Sequence, residues 1–451
     1  MDNVIAFIPL AFLIVLTLAT KKMAESMTAA VILAALLLYR QNFLSGIADL
    51  AYGVLSDSSF QFVLMIMVGF GGMITLFQES GALIGFRRAI ERVASGQKKS
   101  LFLAWLLALI LCIDEYLAIL TVTFSMRDVT DRACVPREHL AFQTNGMVCC
   151  FCMVIPFTSW TGFTVGLISE YGLGFYDYVA SIPYLFFPLL LPPILLLLIF
   201  GGIPKKGQLK RAYERVRSGG PTEPTEQSES RLVEIAAPKE EKASAAWNIL
   251  IPLAVLIAGV LLCGNDLICG LILALMAQFL LYIGQRLMTV GEFFGHFFEG
   301  AKSMSSIAIL VAFGFMLSRA NRALGLLGVL DRGFDQSIPP AFLPLLAFVL
   351  VGLVVFSVGT CWVVMTITFP IFMPLALACG VPASLMIGAL MSGISLGYNL
   401  CFYSDATFMT VAGSGVSNVT IARTALPYAL SAAFLAAIGF LIFGMITTGG
   451  I

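Results

Sequence analysis

The stretch Leu101–Ser125 reads LFLAWLLALILCIDEYLAILTVTFS, two apolar arms joined by the acidic pair Asp114-Glu115. Basic loops flank both of its ends, and basic loops remain on the cytoplasmic side of a membrane protein. A segment that simply crossed the membrane would place one of these loops outside. Each arm, of about twelve residues, rises only about 18 Å. The sequence therefore predicts a re-entrant hairpin that enters from the cytoplasm, with arms Leu101–Cys112 and Tyr116–Ser125 and the acidic pair at its tip.

The composition of the whole chain is that of an integral membrane protein. Of its 451 residues, 59% are hydrophobic and 12% are charged, and the mean hydropathy is +0.96. Soluble domains carry roughly a quarter charged residues, so too little polar surface remains here to cover a water-soluble particle. The net charge of zero suggests no nucleic-acid partner. Apolar runs near the length of about 20 residues that a spanning helix needs include Ile182–Phe200, Leu250–Cys263 and Leu430–Ile446.

The ten cysteines lie almost entirely in apolar runs. We expect small, reduced residues that pack between helices. The two histidines, His139 and His296, complete no zinc-binding spacing with them. No cofactor is expected beyond Na⁺ or H⁺ as the coupling ion.

One long polar stretch, from Pro204 to about Ala246, has the composition of a flexible linker. It divides the chain into a first membrane repeat (1–203), a cytoplasmic linker (204–246) and a second membrane repeat (247–451). Short motifs recur in the same order in both halves, as in transporters built from internal repeats. Phe70-Gly71 recurs as Phe313-Gly314, Val135-Pro136 as Val381-Pro382, Thr158-Ser159 aligns with Ser404-Asp405, and Asp114-Glu115 with Thr360-Cys361.

The predicted fold is an all-α integral membrane protein made of two inverted repeats. Each repeat would contain about five transmembrane helices and one re-entrant hairpin. Because five is odd, the second repeat must be inverted relative to the first, which agrees with the placement of the basic residues. The second hairpin, about Ala341–Leu377, would enter from outside with Thr360 at its tip.

Three carboxylates are predicted to lie deep in the membrane: Asp114, Glu115 and Asp405. A charge at that depth is costly, so it marks a functional site or a pair that pins helices together. Two interruptions of apolar helices, Pro156–Gly162 and Gly397–Asp405, expose backbone groups that are tolerated only around a cavity or inside protein. The sequence thus predicts discontinuous helices near the same depth as the carboxylates.

The two hairpin tips and the two helix breaks are expected to converge on one central site. Its oxygens suit a hard cation such as Na⁺, with Asp114 and Asp405 as the metal ligands. Aromatic residues beside the breaks either line a pocket for an organic solute or only pack. No residue is predicted to be catalytic. The predicted ion- or substrate-binding residues are Asp114, Glu115, Thr158, Ser159, Trp160, Thr360, Tyr398, Asn399, Ser404, Asp405 and Thr407.

Two blocks of motifs resemble the signature of the NhaC-type Na⁺/H⁺ antiporter family. The first block is Asp114-Glu115-Tyr116, Leu120-Thr121-Val122, Met126-Arg127, Thr130-Asp131-Arg132 and Arg137-Glu138; the second is Gly359-Thr360, Ser404-Asp405, Thr407 and Leu426-Pro427-Tyr428. The resemblance implies a multi-pass carrier of the ion transporter superfamily, working by alternating access in the lipid of the bacterial inner (plasma) membrane. It also implies that a homodimer is common, and that broader relatives carry amino acids or carboxylates.

The sequence departs from that family at two places. Asn145-Gly146-Met147 stands where the family often shows Asp-Ser-Thr, and Gly397-Tyr398-Asn399 stands where it often shows Gly-Asp-His. Fewer titratable groups and more aromatic rings leave two functions open. One is Na⁺/H⁺ antiport, and the other is Na⁺- or H⁺-coupled transport of a small organic solute. The repeat disfavours a channel, and the lack of a nucleophile–histidine pair or metal cluster at membrane depth disfavours an enzyme.

Overall fold

A computed structural model describes residues 8–20, 23–82, 84–85, 96–112, 115–224, 244–263, 266–324, 339–359, 361–402 and 404–448. Apart from three short 3₁₀ turns, all regular structure in these ranges is α-helical. The first ten helices are α1 Ile8–Thr20, α2 Met23–Tyr39, α3 Phe43–Leu55, α4 Ser58–Glu79, α5 Gly96–Leu111, α6 Glu115–Arg132, α7 Arg137–Val154, α8 Ser159–Ser169, α9 Phe175–Ser181 and α10 Phe186–Phe200. The others are α11 Gly207–Arg217, α12 Trp247–Leu262, α13 Leu267–Gly284, α14 Val290–Ser303, α15 Ser305–Ala323, α16 Leu343–Val358, α17 Cys361–Ala378, α18 Ala383–Leu400, α19 Asp405–Ser414 and α20 Asn418–Thr447.

The described helices include six that are long and apolar enough to cross a membrane, or eight if two bent pairs each count as one span. This is fewer than the ten spans predicted from the sequence. Two bent pairs of helices are interrupted, and some apolar helices are short, such as Trp247–Val260. Hydropathy alone does not register these breaks, because the interrupting residues are themselves largely apolar.

The first predicted hairpin corresponds to α5 and α6, which pack against each other and meet between residues 111 and 115. The predicted arms were too short. The helix α6 continues through the charged residues after Ser125 and ends at Arg132, because charged side chains such as Arg127 and Asp128 reach the surface without leaving the helix. The second hairpin is formed by α16 and α17, joined at Gly359, whose φ of +79° favours glycine.

Both predicted helix breaks are present. The helices α7 and α8 are bent by 49° at the break between Val154 and Ser159. In the second half, α18 ends at Leu400 and α19 begins at Asp405, so the break is shorter than the predicted segment from Gly397. A hydroxyl side chain caps the second helix of each pair: Thr158 accepts from the Thr161 amide at 3.3 Å, and Ser404 accepts from the Thr407 amide at 3.2 Å.

The hydrogen bonds around the two breaks are the same at equivalent positions. Each residue of the second set lies 246 positions after its counterpart, the separation of Tyr116 and Trp362. The cap hydroxyls also donate to the preceding turn, Thr158 to the Cys152 carbonyl and Ser404 to the Tyr398 carbonyl. The further matched bonds are Thr161 to Ile155 and Thr407 to Cys401, Thr164 to Trp160 and Thr410 to Ala406, and the Val135 amide to Thr130 and the Val381 amide to Ala376.

The predicted flexible linker is wrong for its first part. Residues Gly207–Arg217 form the amphipathic helix α11, which buries Leu209, Ala212 and Tyr213. Tyr213 contacts the His139 ring nitrogen at 2.7 Å, and Arg215 binds both oxygens of Glu138 at 2.8 and 3.0 Å. Apolar residues at helical spacing fix this segment to the start of α7, although its overall composition resembles a linker.

The prediction of reduced cysteines is wrong for one pair. Cys263, which follows α12, and Cys269, in the first turn of α13, form a disulfide. Their Cα atoms lie 6.4 Å apart, within the range that a disulfide spans. The other eight cysteines in the described chain are outside this disulfide, and six of them are buried.

Candidate functional site

The first residue of α6 and the first residue of α19 lie close together in the centre of the protein. These residues are Glu115 and Asp405, at the hairpin tip of the first half and the helix break of the second. The helices pack so tightly that a Cβ on Gly413 would lie 1.8 Å from Thr123 Oγ1. Two elements distant in sequence therefore hold two carboxylates at the same place.

Two tyrosine hydroxyls hold the Asp405 carboxylate. Tyr116 donates to Oδ2 and Tyr398 donates to Oδ1, each at 2.5 Å, and the Ala406 amide also donates to Oδ1 at 3.2 Å. Tyr398 also lies 3.5 Å from Oε2 of Glu115. We call Glu115, Tyr116, Tyr398 and Asp405 the acidic cluster.

A narrow cavity opens beside the acidic cluster. Its volume is about 20 Å³, which is room for about one water molecule. Two tryptophans, Trp160 and Trp362, form part of its wall with their ring centroids 5.0 Å apart, and Phe163 stands edge-on to Trp362 at 4.9 Å. The remaining lining residues are Met67, Phe70, Ile74, Glu115, Tyr116, Ser159 and Met304.

The positions equivalent to the acidic cluster in the other half are uncharged. At the offset of 246, Glu115 corresponds to Cys361, Tyr116 to Trp362, Tyr398 to Cys152 and Asp405 to Ser159. We call Cys152, Ser159, Cys361 and Trp362 the neutral counterparts. The backbone arrangement is repeated, whereas the charge is present in one copy only.

Several predicted ligands use their hydroxyls to hold the breaks. Thr158 and Ser404 cap α8 and α19, and Thr407 donates to the Cys401 carbonyl at 2.9 Å. All three are buried. Their oxygens lie beside the site, but in this structure the hydroxyls stabilise the two half-helices.

The other predicted site residues have different placements. Ser159 and Trp160 line the cavity, and Glu115 faces it as well. Asn399 is buried, with its amide nitrogen donating to the Ser395 carbonyl at 2.9 Å. Asp114 and Thr360 lie outside the described residues.

The sequence reasoning missed the role of Tyr116. The motif Asp114-Glu115-Tyr116 does not by itself assign Tyr116 to the site, although its hydroxyl contacts Asp405 directly. Its proximity to the acidic pair and its alignment with Trp362 were the available signals. It also missed Phe70 and Met304 as wall residues, since nothing in an apolar helix distinguishes a residue facing a cavity from one facing a neighbour.

The comparisons with known proteins agree with a transporter. The profile of the Na⁺/H⁺ antiporter family matches residues 151–445, well over half of the chain. The chain belongs to the Na⁺/H⁺ antiporter family. A protein of Haemophilus influenzae described as uncharacterized is 24% identical over 99% of this chain and 92% of its own length.

Two solved transporter structures resemble this antiporter-family chain. The Alcanivorax borkumensis YdaH transporter gives a TM-score of 0.55 at 14% identity, covering 91% of this chain and 90% of its own. Neisseria gonorrhoeae MtrF, described among antimetabolite efflux pumps, gives a TM-score of 0.48 at 12% identity, covering 90% of this chain and 83% of its own. The likeness to YdaH shows a shared fold, and the family shows that the chain is a multi-pass membrane transporter and not an enzyme.

Proposed function

We propose that the chain is a cation-coupled secondary transporter of the NhaC type that exchanges Na⁺ for H⁺ by alternating access. The observation that carries the proposal is the Asp405 carboxylate, placed in a helix break and bound by the hydroxyls of Tyr116 and Tyr398. A carboxylate in this position is costly unless it binds something.

In this mechanism Na⁺ and H⁺ compete for the Asp405 carboxylate, and that competition couples their movement in opposite directions. The tyrosine hydroxyls and the Ala406 amide stabilise the ionised carboxylate, while the surrounding apolar protein disfavours an uncompensated charge. Either Na⁺ or H⁺ neutralises the group, and one must leave before the other binds. Asp114 is proposed as the second Na⁺ ligand on its position in the sequence alone.

Alternating access needs a site that both halves share. Tyr116 belongs to the first half and Asp405 to the second, so movement of one half against the other changes the contact between them. The matched hydrogen bonds around the two breaks support a repeat, and the basic residues support an inverted one in the bacterial inner membrane. A homodimer surrounded by lipid is the proposed assembly, for which exposed apolar residues such as Phe434 and Leu426 offer surface.

The second candidate function is Na⁺- or H⁺-coupled transport of a small organic solute. The aromatic wall of the cavity favours it, because Trp160, Trp362 and Phe163 offer ring faces and edges that a bare Na⁺ does not need. In this version Asp405 remains the coupling residue and the cavity holds the solute.

Proteoliposomes that contain only the purified protein test the primary proposal. An outward Na⁺ gradient should drive H⁺ entry, followed with a pH-sensitive dye, without any organic solute present. Asp405→Asn should abolish the H⁺ signal, whereas Glu214→Gln on the exposed face of α11 should not change it. Near-normal Na⁺-driven H⁺ movement in Asp405→Asn would remove Asp405 from the mechanism.

A further inference from the structure

The described residues that line the cavity include a carboxylate and no basic side chain. Glu115 lies in its wall and is 2% exposed, and Asp405 lies behind Tyr116, which also lines the cavity. Among the described lining residues there is no Lys, Arg or His. A solute with net negative charge would lie against a carboxylate in a medium that screens charge poorly, so the cavity disfavours it.

The aromatic wall adds a preference for cations over neutral solutes. The faces of tryptophan and tyrosine rings attract a cation that approaches within about 6 Å of the ring centre. Trp160, Trp362 and Tyr116 bring three such rings to the cavity that Glu115 also lines. Na⁺ prefers oxygen ligands, whereas an alkylated ammonium, which has lost most of its hydration, is suited to rings and a carboxylate together.

The residues of the cavity wall also include a buried hydrogen-bond donor, the indole nitrogen of Trp160. Trp160 lines the cavity and is fully buried, and its indole Nε1 has no hydrogen-bond acceptor within the described part of the chain. A buried donor of this kind is costly to leave unpaired. A hydroxyl or carbonyl oxygen on a solute would satisfy it.

We propose that the cavity binds a small organic ammonium ion that also carries one hydrogen-bond acceptor, with Glu115 as its counter-charge. This rests on the second candidate function above and narrows its substrate class from any small organic solute to a cation. The two carboxylates then have different roles: Glu115 contacts the solute, and Asp405 binds the coupling ion. The cavity of about 20 Å³ is smaller than an organic ammonium ion. The solute therefore enters only when flexible wall side chains such as Met67 and Met304 move aside.

Three isosteres that differ in charge test this class on the wild-type protein. Choline, 3,3-dimethyl-1-butanol and 3,3-dimethylbutanoate share a similar apolar head, and the alcohol and carboxylate replace the positive nitrogen by carbon. Binding to the purified protein is followed by isothermal titration and by the fluorescence of Trp160 and Trp362, two of the four tryptophans. We expect choline to bind at least about tenfold more tightly than the alcohol, and the carboxylate to bind most weakly. Tetramethylammonium, which has no acceptor, should bind more weakly than choline.

Glu115→Gln should reduce the preference for choline over the alcohol to about threefold or less, because the amide keeps the shape and removes the charge. Glu214→Gln makes the same change on an exposed helix and should leave the preference intact. Trp362→Leu provides a second test if Glu115→Gln does not fold, and it should also weaken choline binding relative to the alcohol.

The result that overturns this proposal is binding of the alcohol or the carboxylate as tight as that of choline, or no detectable choline binding. If Na⁺/H⁺ exchange is still measured without solute in that case, the substrate class is wrong and the proposed antiport stands. If exchange is absent but the choline preference is present, the antiport fails and the cationic cavity stands.

Discussion

The acidic cluster and the neutral counterparts occupy equivalent places in the two halves but differ in chemistry. Glu115 and Asp405 on one side are matched by Cys361 and Ser159 on the other. The hydrogen bonds that shape the two breaks are nevertheless the same. The repeated backbone thus forms two similar breaks, and only one of them carries acidic side chains among the described residues.

Contacts between the halves show the same partial symmetry. The Thr410 hydroxyl, which donates to the Ala406 carbonyl, also lies 3.1 Å from the Asn145 side-chain oxygen. The equivalent Thr164 hydroxyl, which donates to the Trp160 carbonyl, lies 3.6 Å from the sulfur of Met391. The geometry is retained while a strong acceptor is replaced by a weak one. The first half-helix of one half thus contacts the second half-helix of the other in both cases, with polar chemistry concentrated on one side.

Moving the charge between the two places should have the largest effect. The double variant Asp405→Ser with Ser159→Asp should lose Na⁺-driven H⁺ movement by at least about a hundredfold. The new carboxylate would have Trp362 and Cys152 where Asp405 has two tyrosine hydroxyls. The rate is measured in proteoliposomes beside Asp405→Ser alone. Recovery of activity by the second substitution would show that the two places are functionally equivalent.

Adding charge to the neutral counterparts should destabilise the protein. Cys361 is fully buried, so Cys361→Glu introduces a carboxylate close to an existing acidic cluster without a matching cation. We expect a loss of about 3 kcal/mol of unfolding free energy, seen as a lower melting temperature in detergent. Cys361→Ser is the control, because serine is uncharged and close in size to the cysteine that it replaces. A rise in melting temperature with added Na⁺ in Cys361→Glu alone would instead mean that a second ion site had formed.

The caps of the two breaks should behave alike, in contrast to the charges. Thr158→Ala and Ser404→Ala each remove a hydroxyl that accepts from a backbone amide and donates to a carbonyl. Each should cost about 1 kcal/mol, measured by thermal unfolding, and Thr447→Ala near the end of α20 should cost less. Clearly unequal losses would show that one break alone depends on its cap.

The smallest effect is expected from labelling the two ends of the first half. Single cysteines at positions 131 and 171, in a cysteine-free background, report the side of the membrane that each position faces. Position 131 should react only from the cytoplasmic side and position 171 only from outside. Access to position 131 from outside would contradict the re-entrant hairpin and, with it, the inversion of the second half.

Tyr398 is a poor probe of solute binding, although the sequence places its ring beside a helix break, where it would line a pocket or only pack. Its hydroxyl instead donates to Asp405, and truncation would therefore disturb the coupling ion as well. Trp362 is the better probe of the solute, because its ring lines the cavity and its contact with the cluster is a long bond to Tyr116, at 3.4 Å.

The membrane class, the helical content, both helix breaks and the position of the second hairpin could all be predicted from local sequence. These features are local: apolar composition, Pro and Gly at interruptions, and hydroxyls that cap a following helix all act within a few residues. Composition was misleading for α11, where the spacing of Leu209, Ala212 and Tyr213 mattered more than the polar average.

Which of the predicted groups share a site depends on long-range packing, which local sequence does not specify. Tyr116 and Asp405 are 289 positions apart and meet because α6 and α19 pack without space for a Cβ at Gly413. The direction of a side chain from a helix depends on the neighbours that helix finds, so neither the cavity wall nor the pairing of tyrosine hydroxyls with a carboxylate can be obtained from local pattern. The sequence supplied the charged and aromatic residues, and the packing of the two halves placed them around one cavity.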